Sequence, residues 1–133
     1  MPLNITTGYQ QLVRRAEKDI ETVSIDEALK LHGDDDVVFV DLRDVRELWR
    51  EGMIPGAFHC PRGMLEFWVD PTSVYHRNVF DPEQRYIFYC SHGWRSSLAT
   101  DVVQSMGYGD VAHLAEGFSS WCEAGFDVEP VER

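Results

Sequence analysis

Three short apolar runs, Val37-Val38-Phe39-Val40, Tyr86-Ile87-Phe88-Tyr89 and Val111-Ala112-His113-Leu114, recur along the chain between segments of helical period. Runs with so little polar alternation are strands covered on both faces, and covered strands need helices above and below them. The intervening segments supply these helices. Tyr9, Leu12, Val13, Ala16 and Ile20 share one face of a first helix, and Ser24-Ile25-Asp26-Glu27 is a capping box opening a second that reaches about Leu31. Val45, Leu48 and Trp49 mark a third, stopped by Gly52; Met64, Leu65, Phe67 and Trp68 mark a fourth, broken at Asp70-Pro71. Leu98, Val102, Val103 and Met106 predict a fifth helix face ending near Gly107, and a last helix runs from Phe118 to about Ala124. Ala57 to Cys60 reads as a short strand ended by Pro61, Asp34-Asp35-Asp36 as a solvated turn, and residues 71–85 as loop. The expected fold is an α/β three-layer sandwich with a mostly parallel central sheet flanked by helices. Its expected extent is one domain over residues 1–133, with residues 1–21 as an N-terminal helical extension packed on it. Ligands of such sheets bind at the C-terminal strand ends, where Asp41, Cys60 and Cys90 fall.

Composition narrows the partners. With 23 acidic against 12 basic residues the formal net charge is −11, which repels nucleic acid and anionic membrane surfaces. Three widely spaced cysteines, Cys60, Cys90 and Cys122, give no disulfide framework and fit reduced thiols in a cytoplasmic setting. The first residues do not read as a signal peptide, and no apolar run has membrane-spanning length.

Cys90 carries the chemistry. It sits where a buried strand ends and a helix begins, followed by Ser91-His92-Gly93-Trp94-Arg95-Ser96. The first N–H groups of a helix lack internal partners and carry partial positive charge, so a thiol placed there ionises more readily than a free one. Gly93 permits the backbone to turn successive N–H groups inward, as a cradle for whatever the sulfur holds. Arg95 adds a planar fork of donors suited to an oxyanion; Ser96 and Ser97 can cap the helix or donate to the same anion; His92 can carry a proton. A metal site drawn from Cys90, His92, His59 and Cys60 does not have the spacing of paired ligand knuckles, so neither metal nor cofactor is expected.

The loop Cys90 to Ser96 resembles the active-site loop of rhodanese-family sulfurtransferases, and three further segments resemble that family's other motifs. These are Asp41-Leu42-Arg43 with Glu47, Gly52-Met53-Ile54-Pro55-Gly56-Ala57, and Leu114-Ala115-Glu116-Gly117 with Trp121. Together they run in order from about Val23 to Val128. Met53 stands where the family usually has histidine, and Glu116 where it usually has the first of two glycines. The resemblance implies a rhodanese-like fold and sulfur transfer in two steps. Cys90 takes a sulfane sulfur from thiosulfate or a similar donor as a persulfide, then hands it to cyanide, a small thiol or a protein dithiol. Cys90 is the nucleophile; Ser91, His92, Gly93, Trp94, Arg95 and Ser96 surround the substrate.

Asp41, Arg43 and Arg62 are candidates for the pocket rim, although an Asp41–Arg43 ion pair fixing the loop is the stronger reading. Cys60 reads as buried and inert rather than as a resolving thiol, and Cys122 as packing beside Trp121. Trp94 covers the sulfur or offers an apolar surface to the donor; Phe67, Trp68 and Tyr75 belong to the core or a pocket wall. His32, His76 and His113 receive no role. Two other functions compete: a non-enzymatic persulfide carrier or interaction module, and a phosphatase or arsenate reductase on the same fold. The latter pair place a cysteine and an arginine around an oxyanion in a loop one residue longer, whereas only four residues separate Cys90 from Arg95.

Overall fold

The computed structural model describes residues 1–133. Five strands, β1 (Glu21–Val23), β2 (Val37–Asp41), β3 (Phe58–His59), β4 (Arg85–Tyr89) and β5 (Val111–Leu114), form one sheet in the order β1-β5-β4-β2-β3. Every pairing is parallel. Six helices surround it: α1 (Tyr9–Asp19), α2 (Ile25–Leu31), α3 (Val45–Glu51), α4 (Leu65–Val69), α5 (Trp94–Ser105) and α6 (Gly117–Glu123). This is the expected three-layer α/β sandwich.

Side-chain alternation along the strands divides the core in two. Ile87 and Tyr89 of β4 join Val23, Phe39, Ala112, Leu114, Phe118 and Trp121 on one face, under α2 and α6. Tyr86 and Phe88 join Val40, Leu65, Ala99, Val103 and Val111 on the other, under α4 and α5. The Ser24 capping box is present, and Asp44 and Glu47 form a second at the start of α3.

Two elements depart from the sequence reading. Strand β1 lacks an apolar run; it exists because Glu21, Thr22 and Val23 pair with Ala112, His113 and Leu114. In α5 the buried residues are Ser96, Ser97, Ala99, Thr100 and Val103, while Met106 is exposed. The helix lies between the sheet and α1, and this two-sided contact selects small side chains: of the expected stripe only Val103 is buried, Leu98 and Val102 are half-buried and Met106 is out.

Asp41 and Arg43 lie inside the molecule, both 0% exposed. Arg43 Nη2 donates to Asp41 Oδ2 at 2.7 Å and to the Gly52 carbonyl at 2.7 Å, and its guanidinium carbon stands 4.2 Å from the centre of the Phe118 ring. The pair therefore ties β2 to the end of α3 and to α6. Removing one buried partner strands the other as an uncompensated charge. Arg43→Met is expected to lower unfolding free energy by about 3–5 kcal/mol in denaturant titration, and the double change Asp41→Asn/Arg43→Met by less.

Candidate active site

Because the strands are all parallel, their C-terminal ends share one edge, and main-chain bonds continue the ladder past them. The Leu42 N–H donates to the Tyr89 carbonyl at 2.9 Å, and that of Cys60 to the Asp41 carbonyl at 2.9 Å. Cys90 follows β4 directly on this edge.

The loop then reverses into α5 around Gly93, whose φ of +96° lies in the left-handed region that a side chain disfavours. That turn aims two main-chain donors at the sulfur. The Gly93 N–H lies 3.2 Å from Cys90 Sγ and the Ser96 N–H 3.4 Å from it, with Ser96 Oγ at 3.6 Å. Cys90 is only 1% exposed. Its sulfur thus sits among amides rather than in either apolar cluster.

Helix α6 presses on the loop from the other side. The Phe118 and Ser119 N–H groups donate to the Cys90 and Ser91 carbonyls at 2.8 and 3.1 Å. A Cβ on Gly117 would stand 2.3 Å from the Cys90 carbonyl oxygen, so only glycine fits this approach. Glu116, just before it, adopts φ +57°, the one non-glycine residue of the chain with positive φ.

Arg95 turns its fork onto a neighbour. Nη1 lies 2.9 Å from Glu47 Oε2 and Nη2 3.0 Å from Oε1, while Ser91 Oγ donates to the same carboxylate at 3.1 Å. Arg95 holds the Glu47 carboxyl down at about 2 against burial, which acts the other way; the Asp44 N–H and Ser91 add to the lowering. The pairing also raises Arg95, whose charge remains close to the Cys90 sulfur. The sequence reading assigned Glu47 to a motif without a partner; the α3 capping box and the fold bring it 48 positions along the chain to Arg95.

The remaining candidates separate. Ser96 touches the sulfur, but Ser97 Oγ donates back to the Trp94 carbonyl at 2.9 Å, so it neither reaches the sulfur nor caps the helix, whose N-cap Gly93 has no side-chain bond. His92 is exposed, and Trp94, 53% exposed, packs against Tyr9 of α1 with ring centres 5.0 Å apart. Asp41 and Arg43 are interior rather than rim, as their burial shows. Arg62 pairs with Glu66 at 2.8 Å. Cys60 is buried and its thiol is pushed up to about 12 by that burial, which makes it inert. Cys122 is exposed, contrary to the packing role expected of it. The helix bearing it buries Phe118 and Trp121 and turns Cys122 outward. With Glu51, Ser91, His92, Phe118, Ser119 and Glu123 it lines a depression of about 350 Å³ beside the loop. A larger cavity, about 770 Å³, lies elsewhere, between Phe80, Tyr86, Tyr108 and Pro71 at the opposite end of β4. His113, given no role from sequence, is buried with Nδ1 3.0 Å from Ser96 Oγ.

Two outcomes are expected here. Because Glu47 is held below its ordinary 4.5, its pairing with Arg95 contributes in full above that pH and vanishes as pH falls through about 2. The stability difference between wild type and Glu47→Gln, followed by denaturant unfolding against pH, shrinks over that window. Glu116→Gly relieves the left-handed backbone and raises stability by roughly 1 kcal/mol in thermal melts.

The chain is similar to known proteins over most of its length. The model of the rhodanese-like domain matches residues 24–124. A thiosulfate sulfurtransferase of Pseudoalteromonas translucida is 32% identical over 111 residues, covering 84% of this chain and 95% of that protein. A human thiosulfate:glutathione sulfurtransferase is 28% identical, covering 77% of this chain and 93% of its own. The matched region spans 58% of a longer mouse thiosulfate sulfurtransferase/rhodanese-like domain-containing protein. Among solved structures, a Rhodopseudomonas palustris protein of unknown function, described as a possible tyrosine phosphatase, superposes with TM-score 0.93 at 46% identity, covering 97% of this chain and 99% of that one. With the matched region running from the start of α2 to the end of α6 and enclosing the Cys90 loop, the chain belongs to the rhodanese-like domain family.

Proposed function

We propose that this protein is a sulfurtransferase that moves a sulfane sulfur through a persulfide on Cys90. The observation that carries the reading is the pair of main-chain donors from Gly93 and Ser96 on the Cys90 sulfur. Donors fixed in this way stabilise negative charge without reorganising when it forms. In the first step the Cys90 thiolate attacks the outer sulfur of thiosulfate or a persulfide. The new S–S bond forms as the donor's S–S bond breaks, and sulfite or a thiolate leaves with the electron pair. In the second step a thiol or cyanide attacks the outer sulfur and Cys90 leaves as thiolate, which completes a ping-pong cycle. Free thiols at Cys60, Cys90 and Cys122 suit work in a reducing, cytoplasm-like compartment.

Arg95 contributes positive charge next to the sulfur while its fork, bonded to Glu47, braces Ser91 and the loop. The depression beside the loop, lined by Ser91 and His92, is the approach for the acceptor, and the carboxylates of Glu51 and Glu123 line it. These walls favour an acceptor that presents a neutral sulfhydryl group over a small anion. The human relative's name, thiosulfate:glutathione sulfurtransferase, supports a thiol acceptor.

The description of the Rhodopseudomonas protein raises phosphatase chemistry as a second reading. The loop argues against it. Four residues separate Cys90 from Arg95, a smaller ring than a tetrahedral phosphate requires, and the guanidinium that would grip the phosphate is bound to Glu47.

Incubation with thiosulfate followed by intact-mass measurement is expected to show a gain of one sulfur atom, lost on adding a thiol. Cys90→Ser is expected to keep the folded spectrum and lose both the mass gain and thiocyanate formation. Hydrolysis of an aryl phosphate without any sulfur uptake would replace this reading by the phosphatase. Sulfur uptake with slow turnover and tight binding to a protein partner would make the chain a carrier.

A further inference from the structure

His113 is a titratable side chain buried beneath the Cys90 loop that the two-step transfer does not employ. It lies on β5 facing α5, between β4 and the edge strand β1. Its Nδ1 is 3.0 Å from Ser96 Oγ and its Nε2 is 3.2 Å from Thr22 Oγ1. Ser96 Oγ is in turn 3.6 Å from Cys90 Sγ. Cys90, Ser96 and His113 are buried, whereas Thr22 is exposed on β1. An unbroken line of polar atoms therefore runs from a sealed sulfur to the surface, through residues that do not line the depression beside the loop.

The elements packed here bring few charges. Helix α5 presents Ser96 to the ring and Arg95 to the sulfur; β1 presents Thr22; β4 presents Phe88, the neighbour of His113 in register; α6 presents main-chain amides to the loop; α3 reaches only through Glu47 on Arg95. Burial alone acts on His113 and pushes it down to about 4, so the ring is neutral near neutral pH. A neutral imidazole has one donor nitrogen and one acceptor, which gives the chain of bonds a direction.

We propose that Ser96, His113 and Thr22 form a relay that conducts the Cys90 proton to the surface and then turns the Ser96 hydroxyl toward the anionic sulfur. In the thiol state Cys90 S–H donates to Ser96 Oγ, Ser96 O–H to Nδ1, and Nε2–H to Thr22 Oγ1. On ionisation each proton moves one place. The thiol proton passes to Ser96 Oγ, the Ser96 proton to Nδ1, the Nε2 proton to Thr22 Oγ1, and the Thr22 proton to water. One proton leaves, no electrons change hands, and the ring ends neutral as the opposite tautomer. Nδ1–H then donates to Ser96 Oγ, and Ser96 O–H becomes a third donor to the sulfur beside the amides of Gly93 and Ser96. Without His113 the hydroxyl is free to turn to the Gly93 carbonyl, 3.3 Å away. Ser96 touches the reacting atom; His113 and Thr22 act through it as positioning residues. The proposal rests on the reading of Cys90 as a thiolate nucleophile.

Nitrogen NMR of the His113 ring during titration of Cys90 tests the relay directly. The expected result is a switch from the Nε2–H to the Nδ1–H tautomer, with no protonation, at the pH where Cys90 ionises; a tautomer that stays fixed overturns the proposal. Iodoacetamide alkylation of the Cys90 peptide against pH gives a second readout. His113→Phe is expected to raise the midpoint by about one pH unit, which lowers the rate about tenfold at pH values below both midpoints. Thr22→Val is expected to act in the same direction by about threefold. Ser96→Ala/His113→Phe is expected to match Ser96→Ala alone, since both changes remove one donor. A loss of thermal stability with an unmoved midpoint, or additive effects in the double variant, overturns the relay. If His113→Phe does not fold, the exposed position of Thr22→Val decides the question, and a profile superposing on wild type overturns it. Alkylation needs no sulfur donor, so a chain inert toward thiosulfate still answers this test, and the two readings fail separately.

Discussion

The structure depends on how tightly main chain closes around Cys90. Gly93 turns the loop so that two amides meet the sulfur, and α6 seats its first N–H groups on the Cys90 and Ser91 carbonyls. This second contact is possible only because Gly117 has no side chain where the Cys90 carbonyl passes. Everything else at the edge serves that closure. The Asp41–Arg43 pair anchors α6 through Phe118, and the Glu47–Arg95 pair braces Ser91. A cradle of backbone amides holds its shape better than one of side chains, because each donor is already fixed by the helix that contains it.

Charge is managed locally in a strongly acidic protein. Arg43 and Arg95 are both bonded to carboxylates, so neither projects an unpaired cation into solvent. The electrostatic help available to Cys90 comes from amide dipoles and from the residual field of Arg95, acting over short distances in a site closed to water. Such a site discriminates by shape and by hydrogen bonding at the sulfur more than by long-range attraction of anions.

Much of this was legible in the residues. The apolar runs at Val37, Tyr86 and Val111, the Ser24 capping box and the stop at Gly52 correspond to observed elements, because each signal is local and each matches the fold around it. Strand β1 was not legible, since three residues of mixed polarity become a strand only when β5 offers its edge. The buried face of α5 was misread because α1 covers its outer side, a contact that periodicity does not report. Cys122 was misassigned for a related reason: its neighbour Trp121 is buried, yet one step along a helix is enough to point the thiol outward.

The sequence by itself determined the succession of β2 to β5 and the six helices along the chain, the place of Cys90 at a strand end, and the need for glycine at its turn. These follow from hydrophobic period and backbone stereochemistry, which act over a few residues. Tertiary structure alone decided which side chains meet there. Glu47 reaches Arg95, and Thr22 reaches His113 across 91 positions, because a parallel sheet stacks distant strands at one edge. Pairings of that kind depend on strand order and register, and neither is encoded by any single segment of the chain.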